Sequence, residues 1–291
     1  RSELTVKNEK CSVTFSDEGA MLRSLKKDGI EYLWQGDPAY WAGQAPVCFP
    51  IAGVLPDGKA TAFGKSCQMK RHGVARITTF KVLECHKNGV TFVQHSNEET
   101  KKAYPFDYEL EIRYELLGST VSNAYVIRNC SDGPMPFAIG GHPAFRCPLT
   151  DGEKFEDYSV VFDRKMTKQA LRPDHHTGLV DISKRYDVLN DSDTIKMRHD
   201  LFYDDALIFD DIPSKKATLI GPEGKGVCVE YQDMPNLLIW SAENDAPFVA
   251  LEPWHGISHC SDEDAVFENK RYMTVLQPGE TASFRFKITM I

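Results

Sequence analysis

The chain has 291 residues, 42% hydrophobic and 26% charged, with a mean hydropathy of −0.38 and a net charge of −8. Those are the values of an ordinary globular protein. No stretch concentrates Lys and Arg, so neither nucleic acid nor an anionic membrane is an expected partner, and no apolar run approaches the length of a transmembrane helix.

The opening residues, RSELTVKNEK, hold no apolar signal-peptide core, although the chain starts at Arg1 rather than Met, which leaves room for a trimmed end. Eight cysteines are scattered without a CxxC pair. That suits reduced, partly buried thiols, and the expected location is cytoplasmic.

Period-2 alternation dominates the chain. VTFVQH (90–95) is a short β-rich run, and YELEIRYEL (108–116) places Tyr108, Leu110, Ile112, Tyr114 and Leu116 on one face and charges on the other. NAYVIRN (123–129), DALIF (205–209), KATLIG (216–221), GVCVEY (226–231) and NLLIW (236–240) follow, and FRFKITM (284–290) closes with alternating Phe284, Phe286, Ile288 and Met290. Alternation of this kind predicts half-buried antiparallel strands. KKDG before Ile30, PDGK at 56–59, KNG at 87–89, SDG at 131–133, PEGKG at 222–226 and PGE at 278–280 supply turns between them. Helical periodicity is nearly absent; SDTIKMRHDLF (192–202) is the one place for a short helix. With no linker and no repeat, the expectation is an all-β fold, a single domain over 1–291 built as a large antiparallel β-sandwich.

Several motifs fail on inspection. GKATAFGKS (58–66) has five residues between its glycines where a phosphate loop has four, and no helix follows it. HGISHC (255–260) offers His, His and Cys, but on a segment without helical period, so no metal is expected. DHHTG (174–178) reads as a solvated loop, and no GxSxG elbow is present.

Three stretches survive. In FAIGGHPAF, His142 follows two glycines and precedes a proline. The residue before proline is held extended, and glycine lets backbone or ligand approach closely. A core histidine bonded to a carbonyl fits the same local pattern. In VALEPWHG, an apolar strand ends on Glu252 ahead of Pro253, with Trp254 beside it. A carboxylate there is costly to bury unless paired or functional; a surface ion pair is the duller alternative. In KRHGVAR, His72 stands among Lys70, Arg71 and Arg76, which a basic turn also explains. Taken together, a carboxylate and an imidazole fixed by the same device on a rigid β scaffold make an acid–base pair without a nucleophile.

EYLWQGDPAYW (31–41), CFPIAGVLPDG (48–58), HGVAR (72–76), YPFDYELEIRYEL (104–116), GGHPAF (140–145), DDALIF (204–209) and LEPWHG (251–256) together resemble the aldose 1-epimerase, or galactose mutarotase-like, family, and within it the LacX-type subgroup. The resemblance implies a super-sandwich and an isomerase that interconverts α and β anomers of an aldohexose. It also implies Glu252 as general base, His142 as general acid, and His72 and Asp205 as substrate-binding groups. Arg76 and Trp41 are added as substrate-binding candidates, Trp41 (or Trp254) as an apolar face for the sugar ring. The chain departs from the family pattern at Val54, where relatives commonly carry arginine; Lys70, Arg71 or Arg76 would have to compensate. Opening and reclosing a hemiacetal needs no metal and no cofactor. A carboxylate near His142 is expected to favour the charged imidazole. The partner is a small-molecule sugar, and the chain is expected as monomer or homodimer. Alternatives are a hexose-6-phosphate 1-epimerase, a non-catalytic carbohydrate-binding protein, since fold does not fix function, and a glycosidase, which would leave the histidines without a role.

Overall fold

The structure is a computed structural model in which residues 2–291 are described. Among the described residues the strands form a nine-stranded sheet, a six-stranded sheet, a four-stranded sheet and two hairpin-sized pairs. In spatial order the large sheet runs Tyr186–Lys196, Ser159–Ala170, Lys216–Ile220, Gly226–Glu230, Thr281–Met290, Thr120–Asn129, Tyr108–Leu117, Gly89–His95 and Lys81–His86. The alternation read from the sequence is the burial seen. Along Tyr108–Leu117, Tyr108, Leu110, Ile112, Tyr114 and Leu116 turn inward and the charged residues outward.

The six-stranded sheet lines up Leu207–Phe209, Asn236–Trp240, Phe248–His255, Ile139–Gly141 and Val47–Cys48, with Ala144–Arg146 also pairing against Phe248–His255. It is buried on both faces, and the two faces do different jobs. Leu237, Ile239, Val249, Leu251, Ile139, Phe145, Leu207 and Phe209 join the main hydrophobic core against the nine-stranded sheet. Successive residues point to opposite sides of a strand, so Ile208, Leu238, Trp240, Ala250, Glu252 and Trp254 face away from that core, among two smaller apolar clusters. Burial on both faces is why FVALEPWH reads as a continuous apolar run rather than an alternating one. Contacts such as Phe49 with Tyr108 (ring centroids 4.9 Å) and Phe162 with Phe209 (6.1 Å) tie the two large sheets together. Each fully buried aromatic of this kind contributes about 1.5–3 kcal/mol.

The helix expectation differs from the fold. SDTIKMRHDLF holds no α-helix: its first half completes the Tyr186–Lys196 strand and its end is a single 3-10 turn at His199–Phe202. The one α-helix among the described residues is Glu98–Ala103, capped by Asn97, whose side chain accepts from Thr100 N at 2.8 Å. At six residues it is too short to register as a period. GKATAFGKS is a β-hairpin, with Phe63 and Gly64 at positive φ in its turn. Among the described residues no helix is long and apolar enough to cross a membrane.

Candidate active site

His142 and Glu252 face each other because of strand register. Gly140 pairs with Trp254 and Ala144 with Ala250 across the antiparallel ladder, so the positions between them set residue 142 opposite residue 252. Directly opposed residues project to the same face, and His142 Nε2 lies 3.1 Å from Glu252 Oε1. Glu252 is not at a strand end, as the proline behind it suggested; the strand continues through Pro253 to His255. The reason is again register. Leu251 N donates to the Pro143 carbonyl oxygen at 3.1 Å, so the next N–H on that side would belong to residue 253. It would meet Gly141, whose carbonyl oxygen accepts instead from Trp254 Nε1 at 3.1 Å, so the proline leaves no acceptor unpaired.

The glycines before His142 have packing roles. A Cβ on Gly140 would come within 2.5 Å of Trp254 Cδ1, and one on Gly141 within 2.7 Å of Phe286 Cε1. Both positions therefore exclude any side chain, and Trp254 Nε1 donates to the Gly141 carbonyl oxygen at 3.1 Å, locking the indole under the site.

A cavity of about 520 Å³ opens over this pair, lined by Trp41, Arg71, His72, Arg76, His142, Asp205, Trp240, Glu252 and Trp254 among others. It gathers all six residues singled out from sequence: Glu252, His142, His72, Asp205, Arg76 and Trp41. A larger hollow of about 870 Å³ lies on the solvent face of the nine-stranded sheet, walled by Glu111, Arg113, Glu230, Lys287 and neighbours. Its ionisable groups are solvated or paired, as Arg113 with Glu111 at 2.6 Å, so the perturbed chemistry is at the smaller cavity.

Each group is held in a defined state. His72, at φ +64, accepts the Gly53 backbone N–H on Nδ1 at 3.0 Å. Its remaining proton therefore sits on Nε2, and burial pushes its pKa well below the usual imidazole range. His72 is a neutral N–H donor. The Asp205 backbone also sits in the left-handed region (φ +75), which aspartate tolerates better than most residues. Its Oδ1 accepts from Ala206 N at 2.7 Å, and Arg172 donates to its carbonyl oxygen at 2.9 Å. Burial raises its carboxyl pKa. Asp204, the neighbouring candidate, faces outward into a different pocket.

Glu252 and His142 are 1% and 7% exposed. Burial pushes the carboxyl well above its ordinary range, with the Asp205 carboxylate adding to the rise. Burial likewise drives the His142 imidazole down to about 3. The expectation that the nearby carboxylate would keep this imidazole charged is corrected here: an aromatic cage that excludes water opposes charge on both groups more than they stabilise each other. Both shifts favour the uncharged forms, a carboxylic acid beside a neutral imidazole. Glu252 Oε1 and His142 Nδ1 are buried with no hydrogen-bond partner, although Nε2 is close to Oε1. Buried polar atoms are nearly always satisfied, so two orphans at a cavity wall mark positions at which a bound molecule can supply the partner.

Aromatic rings close the cage. Trp41 lies 4.9 Å from the His142 ring, tilted 33°, and stands perpendicular to Trp240 at 5.1 Å. Trp240 contacts His142 edge-on at 5.4 Å. It was not singled out from sequence, yet a signal existed: NLLIW pairs antiparallel with the Glu252 strand, Leu238 opposite Glu252, so Trp240 shares its face. Arg71 and Arg76 line the cavity and Lys70 does not, and Arg71 and Val54 both border the space that a side chain on Gly178 would fill. Nor is DHHTG simply a solvated loop. Gly178 is part of the cavity wall, and His175 Nδ1 stands 3.8 Å from Asp205 Oδ2.

The fold and this cavity define a galactose-mutarotase-like β super-sandwich carrying a buried carboxyl–imidazole pair. The aldose 1-epimerase family model matches residues 2–289, and the chain belongs to that family. It is 38% identical to the chromosomal protein LacX of Lactococcus lactis subsp. lactis, over 99% of both chains. Among solved structures it is similar to a galactose mutarotase related enzyme from Lactobacillus acidophilus (TM-score 0.94, 33% identity, covering 100% of this chain and 97% of that one). It is also similar to a galactose mutarotase-like protein from Lactobacillus casei (TM-score 0.92, 30% identity, covering 100% of each).

Proposed function

We propose that the protein is an isomerase that interconverts the α and β anomers of an aldohexose by acid–base opening and reclosure of the ring. The observation that carries this reading is the buried His142–Glu252 pair, 3.1 Å apart and facing a cavity wide enough for a sugar. Family membership supports it.

Anomer exchange requires the O1 hydroxyl to lose a proton while the ring oxygen gains one as its bond to C1 breaks. Rotation about C1–C2 and the reverse transfers then close the ring on the other face. The uncharged form of the pair, which burial favours, carries the single proton this needs. Sugar hydroxyls donating to the unpartnered Glu252 Oε1 favour the carboxylate, and the proton passes to His142. Glu252 then takes the O1 proton and His142 gives its own to the ring oxygen. His72, neutral and fixed as an Nε2–H donor, positions that oxygen. Asp205 accepts from hydroxyls, and Trp41 supplies an apolar face.

Magnetisation-exchange NMR on equilibrated glucose and galactose tests the reading. Accelerated exchange lost in Glu252→Gln supports it. Unchanged exchange in the folded variant overturns the assignment, and no acceleration of any aldose points instead to a protein that binds sugar without turning it over.

A further inference from the structure

The charges lining the cavity are not those a neutral sugar requires. Arg71 and Arg76 both line it, and among the described residues neither guanidinium has an ion-pair partner. Arg76 Nε donates to the Arg71 carbonyl oxygen at 3.2 Å, which ties the two together. The carboxyls facing them are Asp205 and Glu252, and burial favours the uncharged form of both.

Gly178 explains how Arg71 gets there. Its φ is +76, and a Cβ built on it would lie 3.0 Å from Arg71 Nη2 and 2.9 Å from Val54 Cγ2. The glycine therefore leaves a notch in the wall in which a guanidinium lies beside the Val54 side chain. Arg71 is itself exposed, so its head group stands at the mouth of the cavity, whereas Glu252 and His142 are its buried floor.

We propose that Arg71, admitted by Gly178 and seconded by Arg76, is the specificity-determining group of this site, selecting aldoses that carry an anionic substituent away from C1 over neutral ones. The shared chemistry is an oxyanion, either a phosphate ester or a carboxylate, matched to a planar fork of donors that lysine cannot reproduce. The proposal rests on the anomer-exchange reading for the direction in which the sugar enters; the binding preference stands without it.

The test is titration calorimetry with glucose, glucose 6-phosphate and glucuronate, run beside magnetisation exchange on wild type, Arg71→Met and Arg71→Lys. The anionic sugar is expected to bind at least about tenfold more tightly than glucose at low salt, and the advantage shrinks as ionic strength rises. Arg71→Met removes most of it, Arg71→Lys restores only part, and turnover at saturation moves far less than KM. The larger advantage of the two anions identifies the substituent. Equal binding of glucose and both anions by wild type, or an advantage untouched in Arg71→Met, overturns the proposal. Exchange of glucose with no anionic preference would leave anomer exchange standing and this inference failed; Arg71-dependent anion binding without any exchange would do the reverse.

Discussion

His142 and Glu252 are a cross-strand pair: the register that sets Gly140 against Trp254 and Ala144 against Ala250 leaves them opposed, with Nε2 and Oε1 3.1 Å apart. An acid–base pair built this way is placed by the ladder rather than by a loop. Removing either member should therefore cost chemistry and spare the fold. Glu252→Gln and His142→Asn are each expected to lower the turnover of anomer exchange by about 10²–10⁴-fold, with circular dichroism and chromatographic behaviour unchanged. A loss below tenfold in either would remove that residue from the proton transfer.

The same burial predicts a stability effect with a definite sign. In the unfolded chain the Glu252 carboxyl titrates near 4.5; in the fold burial raises it well above that. The folded protein then holds a proton that the unfolded chain releases, so this group's contribution is full below about pH 4.5 and declines as pH rises towards the raised value. His142, lowered from 6.5 to about 3, acts in the opposite sense: its contribution is lost as pH falls through that window. Glu252→Gln abolishes the first effect and keeps the second. The variant's advantage in thermal or denaturant stability should widen as pH rises above about 4.5, by no more than about 1.4 kcal/mol per pH unit. A difference that does not change with pH would mean that Glu252 is ionised in the empty site.

His72 should show one tautomer throughout. Its Nδ1 accepts the Gly53 N–H and burial holds its pKa down, so long-range 15N–1H correlation should place the proton on Nε2 from pH 8 to pH 5. A charged imidazole signature at pH 6 would contradict the neutral-donor role. His72→Leu should destabilise the fold by about 1–3 kcal/mol, because it leaves the buried Gly53 N–H without an acceptor.

Gly140→Ala tests the packing beneath the site. Its new methyl would meet Trp254 at 2.5 Å, and overpacking of this kind costs about 1–3 kcal/mol. Because Trp254 is two residues from Glu252 on the same strand face, catalysis should fall together with the denaturation midpoint. A fully active, fully stable variant would show that the indole can yield.

Much of this architecture was legible in the chain. The alternation in YELEIRYEL and FRFKITM gave real strands with the expected faces, because one side of the nine-stranded sheet meets water and the other the core. His142, Glu252 and His72 stood out because proline and glycine beside a titratable group are visible locally. Asp205 came only through likeness to a family, since FYDDAL looks like any turn entering a strand. Trp240 and Gly178 were passed over for a different reason: their importance lies in strand pairing and in a cross-loop contact with Arg71, and neither relation is written in neighbouring residues. The charge state of His142 was misjudged because a sequence shows the carboxylate but not the dryness around it.

The double burial of the Phe248–His255 strand carries a last consequence, for how the chain can vary. A slip of one residue would exchange Leu251 for Glu252, driving a carboxyl into the main core and an isobutyl group into the floor of the cavity. Substitutions along this strand cost increments, whereas a single deletion or insertion inverts it. Length changes among working descendants of this sequence should therefore gather in exposed turns such as 222–225 and 131–133, and be missing between 248 and 255.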